Sequence, residues 1–287
     1  MKQITIIGTG LIGGSFALAV KKRGLVQRVV GCDRAEVLAW ARELNAIDDG
    51  VLDPVKACEG SQLVVLATPV GGIIDLLEKV GPVGSRDVLI TDVGSTKSEV
   101  SARARSVFGA AAAERFLPGH PMAGKEHSGI EYADADLFQG ATWLFTTDKE
   151  KLTPDQKKFV AIVHAIGAKA VFLPEAEHDR LCAWVSHLQQ FTATAMASAL
   201  ADFATEFEAE FAHRPELQEV GGRALREMTR IAASPYSMWR DVALTNTENV
   251  RAALAALEQK LAHLRENLRS PELRDEFGRA NGFAKRK

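Results

Sequence analysis

The sequence lacks the signatures of several protein classes. Its three cysteines, Cys32, Cys58 and Cys182, lie far apart and form no CxxC pair, so neither a disulfide framework nor a zinc site is expected. No apolar run is long enough to span a bilayer. The 35 basic and 37 acidic residues give a formal net charge of -2, which is too small to attract nucleic acid or a membrane surface. We therefore expect a small-molecule partner, no nucleic acid, no membrane and no metal.

The first residues of the chain have the pattern of a dinucleotide-binding unit. An apolar run, Ile4 to Ile7, leads directly into a GxGxxG motif at Gly8 to Gly13, and apolar residues at helical spacing follow. In such a unit Gly8 allows the tight turn, Gly10 lets the backbone approach a pyrophosphate, and Gly13 lets the helix pack closely on the strand. The phosphates lie at the helix N-terminus. The residues predicted to line this part of the site are Gly8, Gly10, Leu11, Ile12 and Gly13.

The next apolar run, Val29 to Cys32, bears on which cofactor is bound. Asp33 follows this run about 20 residues after the glycines, where a carboxylate can accept hydrogen bonds from the adenosine ribose hydroxyls. This placement predicts NAD. Arg34 could pair with a 2′-phosphate, but Asp33 would repel that phosphate, so NADP is the less favoured alternative.

Short apolar runs alternate with helical patterns as far as about residue 173. This alternation predicts an α/β fold, a Rossmann-type doubly wound sheet whose ligands lie at the carboxyl ends of the strands. Thr68 and Pro69 follow one of these runs, and Ser95 lies in a turn, Gly94 to Lys97, after another. We therefore expect Thr68 and Pro69 to contribute to the cofactor site.

The composition changes after Pro174, where alanine and leucine at helical period replace the strand pattern. We assign residues 1–173 to the dinucleotide-binding domain and 174–287 to an all-helical domain. Phe191 to Phe211 carries apolar residues around much of its circumference, which predicts a homodimer interface. The tail, Arg279 to Lys287, is predicted to be a frayed end. No signal peptide precedes the first strand, so a cytoplasmic location is expected.

One histidine has the setting of a catalytic base. Gly119 and Pro121 frame His120 in a predicted loop at the carboxyl edge of the sheet, and imidazole titrates near neutral pH. His187, in the first long helix of the second domain, could face the cleft, although a helix histidine is more often structural. Arg230 has apolar neighbours and could bind a carboxylate, or form a surface ion pair. The histidines predicted to lie at the surface or in helix caps are His164, His178, His213 and His263.

Taken together, these motifs resemble the prephenate dehydrogenases, the TyrA family, which includes the arogenate dehydrogenases. The matching segments are the glycine motif with Asp33, Asp92 to Lys97, Gly119 to Gly124, Ser186 to Leu188, Thr229 to Ala232, and Met238-Trp239. The resemblance covers almost the whole chain. It implies oxidation of prephenate or arogenate with a nicotinamide cofactor and loss of carbon dioxide, giving 4-hydroxyphenylpyruvate or tyrosine in tyrosine biosynthesis.

The resemblance also implies roles for individual residues. His120 would take the proton of the ring C4 hydroxyl, Ser95 would hydrogen-bond the histidine or that hydroxyl, and Arg230 would bind a substrate carboxylate. Trp239 would reach into the neighbouring subunit's site. The other residues implied to line the substrate pocket are His187, Glu126, Lys125 and Gln190.

The substrate is left open by positions that depart from the family pattern. Gln189 and Gln190 stand where the family often has proline and histidine, and Lys125 stands where a smaller polar residue is usual. These positions border the substrate side chain, where a keto acid and an amino acid differ by one charge. The substitutions leave the choice of substrate open, with prephenate favoured over arogenate. Two other protein classes are alternatives to this family. A β-hydroxyacid dehydrogenase would rely on a catalytic lysine in the helical domain instead of His120. A redox sensor would bind NAD without turnover.

Overall fold

The computed structural model describes residues 1–82, 88–125, 127–210 and 220–286, without the side chains of 207–210. A six-stranded parallel sheet occupies the first part, in the order β3-β2-β1-β4-β5-β6. Its strands are β1 (Gln3–Ile7), β2 (Arg28–Cys32), β3 (Asp49–Val51), β4 (Leu63–Leu66), β5 (Leu89–Asp92) and β6 (Phe116–Leu117). The continuous apolar runs in β1 and β4 are what strands covered on both faces require.

Helices connect these strands and cover both faces of the sheet. They are α1 (Leu11–Lys22), α2 (Ala35–Glu43), α3 (Pro54–Ala57), α4 (Val70–Val80), α5 (Ser98–Phe108) and α6 (Ala112–Arg115), with α7 (Pro154–Ala165) further along the chain. The strand order reverses between β1 and β4, which is where a doubly wound sheet binds its ligand. The expected α/β fold is therefore confirmed, although the short strands β3 and β6 had no recognisable sequence pattern.

Three further strands form a second, separate sheet. It consists of β7 (Gly119–Pro121), β8 (Thr142–Phe145) and β9 (Lys169–Phe172), with β7 antiparallel and β9 parallel to β8. The predicted loop around His120 is thus wrong, because β7 is a strand. A three-residue strand that ends in proline is too short to show a period of two, and only its distant partner β8 defines it.

The residues described after β9 lie mainly in helices. These helices are α8 (Glu175–Cys182), α9 (Leu188–Glu210), α10 (Gly222–Ala232), α11 (Tyr236–Thr245), α12 (Thr247–Glu266) and α13 (Glu272–Ala284). A π-helical turn at Ala183–His187 interrupts the first predicted helix, and such turns are frequent at functional sites. The prediction of a frayed tail from Arg279 is also wrong in part, because α13 continues to Ala284, although none of its residues is buried.

Polar contacts join the two parts of the chain where α8 and α11 meet the sheet. Asp179 on α8 accepts hydrogen bonds from the first backbone N–H groups of α5. Asp241 on α11 accepts one from Gly71 at the start of α4, at 2.9 Å. No helix within the described ranges is long and apolar enough to cross a membrane. These contacts place the helical part against the carboxyl edge of the six-stranded sheet.

Candidate active site

The glycine motif forms a turn that only glycine can make. Gly8 has a φ of +95°, and a Cβ atom there would lie 2.6 Å from the carbonyl carbon of Ala67, which follows β4. A Cβ atom on Gly13 would lie 1.9 Å from the Gly8 oxygen. Gly10 is different, because nothing lies within 4 Å of a Cβ atom built there. This open backbone face at the N-terminus of α1 is the feature that a pyrophosphate needs, so the residues present fit a bound dinucleotide.

Asp33 lies beside this turn with its carboxylate held in place. Its Oδ2 atom accepts a hydrogen bond from the backbone N–H of Thr9 at 2.7 Å, and its Oδ1 atom accepts one from that of Arg34 at 2.8 Å. Oδ2 also accepts the Thr9 hydroxyl at 3.3 Å, so Oδ1 is the oxygen that can accept a further bond from a ribose hydroxyl. Arg34 is exposed. The predicted cofactor residues Leu11, Ile12, Thr68 and Pro69 lie on the same edge, because they open α1 or follow β4.

His120 is buried on β7 and begins a chain of hydrogen-bonded side chains. Its Nδ1 atom lies 2.9 Å from Nε2 of His178, and Nδ1 of His178 lies 2.9 Å from Oδ1 of Asp179. A carboxylate accepts and cannot donate, so Nδ1 of His178 carries the proton and its Nε2 atom accepts. His120 must then donate from Nδ1. Its Nε2 atom is left with a free lone pair, the state that a general base requires.

Asp179 is also held by two hydrogen bonds from the backbone at the start of α5. It accepts the backbone N–H of Lys97 at 2.7 Å and that of Ser98 at 2.9 Å, and so caps α5. Burial raises the pKa of Asp179, but hydrogen bonds from His178 and Ser98 outweigh this and lower it below its ordinary value. Asp179 is therefore a fixed carboxylate at neutral pH.

The strand that carries His120 is held by a buried ion pair. Lys97 is fully buried, and its ammonium group donates to Asp92 at the end of β5 and to the carbonyl oxygen of Gly119 at 2.8 Å. Asp92 in turn accepts the backbone N–H of Gly119 at 3.1 Å. Because these bonds hold Gly119 through both its N–H and its carbonyl group, they fix the position of the adjacent His120.

The electrostatic surroundings keep His120 neutral. Burial lowers its pKa well below the usual value, and electrostatic interactions with His178, Lys97 and His187 lower it further. At pH 7 the ring is therefore unprotonated and able to accept a proton.

His187 lies close to this group, at the end of the π-helical turn. Its Nδ1 atom lies 3.3 Å from the amide nitrogen of Asn246, which also donates to the carbonyl oxygen of Asp179 at 2.8 Å. The proton of a neutral His187 then lies on Nε2. Trp239 packs edge to face against the His187 ring, at 5.9 Å between centroids. His187 Nε2 and Trp239 Nε1 are both buried and have no hydrogen-bond partner among the described residues.

Three of the other predicted substrate residues, Lys125, Gln190 and Arg230, lie within the described ranges. Lys125 is exposed and donates to the carbonyl oxygen of Tyr132 at 2.9 Å. Gln190 is buried, but its amide donates to Thr194 one turn along α9. Arg230 is exposed on α10, a helix that packs against α9. Glu126 and His213 lie outside the described residues.

Two outcomes concern residues next to His120. Ser95 is half-buried in the turn after β5, and no hydrogen bond joins it to His120 in the described part of the chain. His178 was predicted to lie at the surface or in a cap, and this is wrong, because it is fully buried between His120 and Asp179. Its neighbours Glu177 and Arg180 are exposed, whereas Asp179 is buried with it, and the sequence of a single helix turn does not reveal which side is covered. Asp179 and Asn246 also had no sequence signal of their own, and Lys97 lies in the matching segment Asp92 to Lys97 but was given no role.

A nucleotide-binding sheet with a buried neutral histidine at its boundary with a helical domain defines a two-domain, dinucleotide-dependent dehydrogenase. Comparison with known proteins makes this class more specific. Residues 16–172 match the family model "Prephenate dehydrogenase, nucleotide-binding domain", and residues 174–280 match "Prephenate dehydrogenase, dimerization domain". The chain belongs to the prephenate dehydrogenase family, and the predicted family and enzyme class are confirmed.

Individual relatives agree with this assignment. The chain is 34% identical to the prephenate dehydrogenase of Lactococcus lactis, over 93% of this chain and 70% of that protein. It is 31% identical to the cyclohexadienyl dehydrogenase of Zymomonas mobilis, over 92% of this chain and 86% of that protein. A crystal structure of the prephenate dehydrogenase of A. aeolicus, in complex with hydroxyphenyl propionate and NAD+, superposes with a TM-score of 0.81 at 30% identity and covers 99% of this chain and 95% of that one. The NAD+ in that structure supports the predicted cofactor.

Proposed function

We propose that this chain oxidises prephenate with NAD and releases carbon dioxide, giving 4-hydroxyphenylpyruvate. The observation that carries this proposal is the buried chain from Asp179 through His178 to His120, which leaves Nε2 of His120 as a hydrogen-bond acceptor. The glycine turn and Asp33 would hold the cofactor, with Thr68 and Pro69 on the same edge. Bound NAD supplies the acceptor for the hydride that leaves the ring carbon.

In this reaction His120 takes the proton of the C4 hydroxyl as that carbon is oxidised. Loss of the ring carboxylate as carbon dioxide makes the ring aromatic, and His120 returns the proton to the phenolic oxygen. While His120 holds the extra proton, His178 accepts its Nδ1–H bond, and the negative charge of Asp179 stabilises the cation. The aromatic product supplies the driving force, so the protein needs mainly to position the hydroxyl and the base.

The second group of buried atoms fits the acidic side chain of the substrate. His187 Nε2 and Trp239 Nε1 are donors without partners among the described residues, and their rings are in contact. A buried donor without an acceptor costs about 1–3 kcal/mol, which a bound carboxylate would recover. We assign the keto-acid carboxylate of prephenate to these donors. The roles implied for Ser95, Arg230, Lys125, Gln190 and Glu126 stay predictions.

Two alternatives keep the same chemistry and change the specificity. Arogenate carries an amino group in place of the keto group, and the similarity to a cyclohexadienyl dehydrogenase supports activity on both substrates. Exposed Arg34 leaves NADP as the second cofactor. We also propose that the helical domain, starting at residue 174, forms a homodimer, which the match to a dimerization domain supports. A cytoplasmic location stays a prediction.

The test is the absorbance of reduced nicotinamide with purified protein, using NAD and either prephenate or arogenate. Turnover of prephenate is expected, and the ratio of kcat/KM for the two substrates would measure the preference. His120→Asn should lower kcat by about 10² to 10⁴, the usual contribution of a positioned base, while NAD affinity is retained. Absence of turnover with both substrates and both cofactors would refute the proposal and favour an NAD-binding sensor.

A further inference from the structure

We propose that His120, His178 and Cys182 form a site for a soft divalent cation such as Zn²⁺, and that a cation bound there switches the enzyme off. Each side chain offers one ligand atom, and the three atoms lie within 4.8 Å of one another. Imidazole nitrogen and thiolate sulfur are the ligands that Zn²⁺ prefers. The sequence predicts no metal site, because the three ligands come from β7 and α8 and share no motif.

The distances between the ligand atoms are close to those of a tetrahedral zinc site. With bonds of about 2.0–2.1 Å to nitrogen and about 2.3 Å to sulfur, two ligand nitrogens lie about 3.3 Å apart, and nitrogen and sulfur about 3.5 Å. Here the Cys182 sulfur lies 3.6 Å from His178 Nε2 and 3.9 Å from His120 Nδ1. The two nitrogens are 2.9 Å apart, at hydrogen-bond distance. The rings need to separate by only about 0.4 Å to admit the ion.

The helix and its neighbours already orient two of the ligands. His178 and Cys182 are four residues apart on α8, so their side chains lie on one face of the helix. Asp179 accepts the Nδ1–H of His178 at 2.9 Å, which fixes the tautomer with Nε2 free. A carboxylate bonded to the far nitrogen of a ligand histidine is the usual support of a zinc site.

The charges around the cluster also suit a cation. Burial, followed by the charge of Asp179, raises the pKa of the Cys182 thiol to about 12, so the thiol is neutral without metal. Zn²⁺ would displace that proton, because a coordinating thiol is deprotonated outright. The ion and the thiolate together carry one positive charge, which the Asp179 carboxylate offsets, since Lys97 is already paired with Asp92.

Binding would disable the proposed base through its Nδ1 atom. An ion on Nδ1 of His120 takes the position of the Nδ1 proton, so the neutral ring carries its proton on Nε2. That atom then donates and can no longer accept the substrate proton. The inhibition rests on the proposed function, whereas the metal site itself does not, and the two are measured separately.

Binding is tested with Co²⁺ and Zn²⁺ on the full chain after treatment with a chelator. Co²⁺ should give a sulfur-to-cobalt charge-transfer band at one ion per chain, and Zn²⁺ should displace it. Cys182→Ser and Cys182→Ala should lose the band and bind Zn²⁺ at least about 100-fold more weakly. Cys58→Ser is the matched control, because it removes another buried thiol, one that contacts the carbonyl oxygen of Pro54, and it should keep the band.

Inhibition is measured on the same samples with NAD and prephenate. One equivalent of Zn²⁺ should abolish turnover of the wild type and of Cys58→Ser, and a chelator should restore it. A wild type without the band, or a band that persists in both Cys182 variants with native circular dichroism, would refute the site. If the ion binds through Cys182 and turnover is unchanged, the inhibition is refuted, whereas the proposed function is tested by His120→Asn.

Discussion

The hydrogen bond between His120 and His178 can be tested by replacing His178 with residues that differ only in whether they accept. In His178→Gln the amide oxygen can occupy the place of Nε2 and accept the Nδ1–H of His120, whereas in His178→Leu no acceptor remains there. Both variants remove the bond to Asp179, and both leave Asp179 in place to cap α5. Any difference in kcat between them therefore reports the tautomer of His120.

The size of the effect follows from the cost of an unpaired buried donor. In His178→Leu the nearest remaining acceptor of the His120 Nδ1–H is the Cys182 sulfur at 3.9 Å, which is weak. Leaving the donor unpaired costs about 1–3 kcal/mol, so the ring favours the tautomer with its proton on Nε2. At 1.36 kcal/mol per factor of ten, we expect His178→Leu to have a kcat about 10-fold to 100-fold below that of His178→Gln.

The assay is steady-state production of reduced nicotinamide with saturating NAD and prephenate, together with the melting temperature of each variant. The dissociation constant of NAD should be equal in both variants, since neither position lies in the glycine turn. Equal kcat values for the Leu and Gln variants would refute the tautomer as the role of His178. A difference in kcat that follows the folded fraction would also refute it.

Three further predictions concern the cofactor turn and the pH dependence. Gly10→Ala should raise the Kd for NAD at least about tenfold and leave the Tm unchanged, because its Cβ atom meets no protein atom within 4 Å and would instead meet the pyrophosphate. Gly8→Ala should lower the Tm, and a normal Kd for Gly10→Ala would contradict pyrophosphate binding at this turn. Asp33→Ser should shift kcat/KM towards NADP by removing the charge that repels a 2′-phosphate, and no shift would mean that another residue sets the preference. Burial lowers the pKa of His187 from 6.5 to about 4. Below pH 6.5 the unfolded chain therefore takes up a proton that the native chain does not, and the free energy of unfolding falls as the pH drops from 6.5 to 4. His187→Gln should remove about 3 kcal/mol of this fall in the free energy of unfolding, measured by urea titration at several pH values, and an equally steep fall would contradict the buried neutral ring.

The sequence predicted the elements whose pattern is local and repeated. The β1–turn–α1 unit shows an apolar run, three glycines at fixed spacing and a helical period. The first and third glycines have a direct physical cause, because Gly8 lies close to Ala67 and Gly13 lies close to Gly8. Strand β7 escaped notice because three residues carry no period, and its pairing partner lies more than 20 residues away. The π-helical turn before α9 is also invisible in composition, since its residues are ordinary helix formers.

A site residue was predicted where its sequence neighbours are distinctive. Site residues were missed where their hydrogen-bonding partners come from distant segments of the chain. His120 stands out between glycine and proline, whereas His178 and Asp179 form an ordinary pair in a charged helix. Only the docking of α8 on the N-terminus of α5 brings Asp179 within 2.7 Å of the Lys97 amide and buries His178. A burial that depends on tertiary contact has no signature in a single sequence.

The tautomer of His120, the proposed base, therefore depends on how the two domains meet. His120 belongs to the nucleotide-binding domain, whereas His178 and Asp179, which set its tautomer, belong to the helical domain. The same Asp179 carboxylate caps α5 and orients His178, so the contact that docks the helical domain also prepares the base. Without that contact the Nδ1 atom of His120 loses its acceptor, and nothing keeps Nε2 free of the proton. If His120 is the base, as proposed, the domain that matches a dimerization domain also contributes directly to the chemistry.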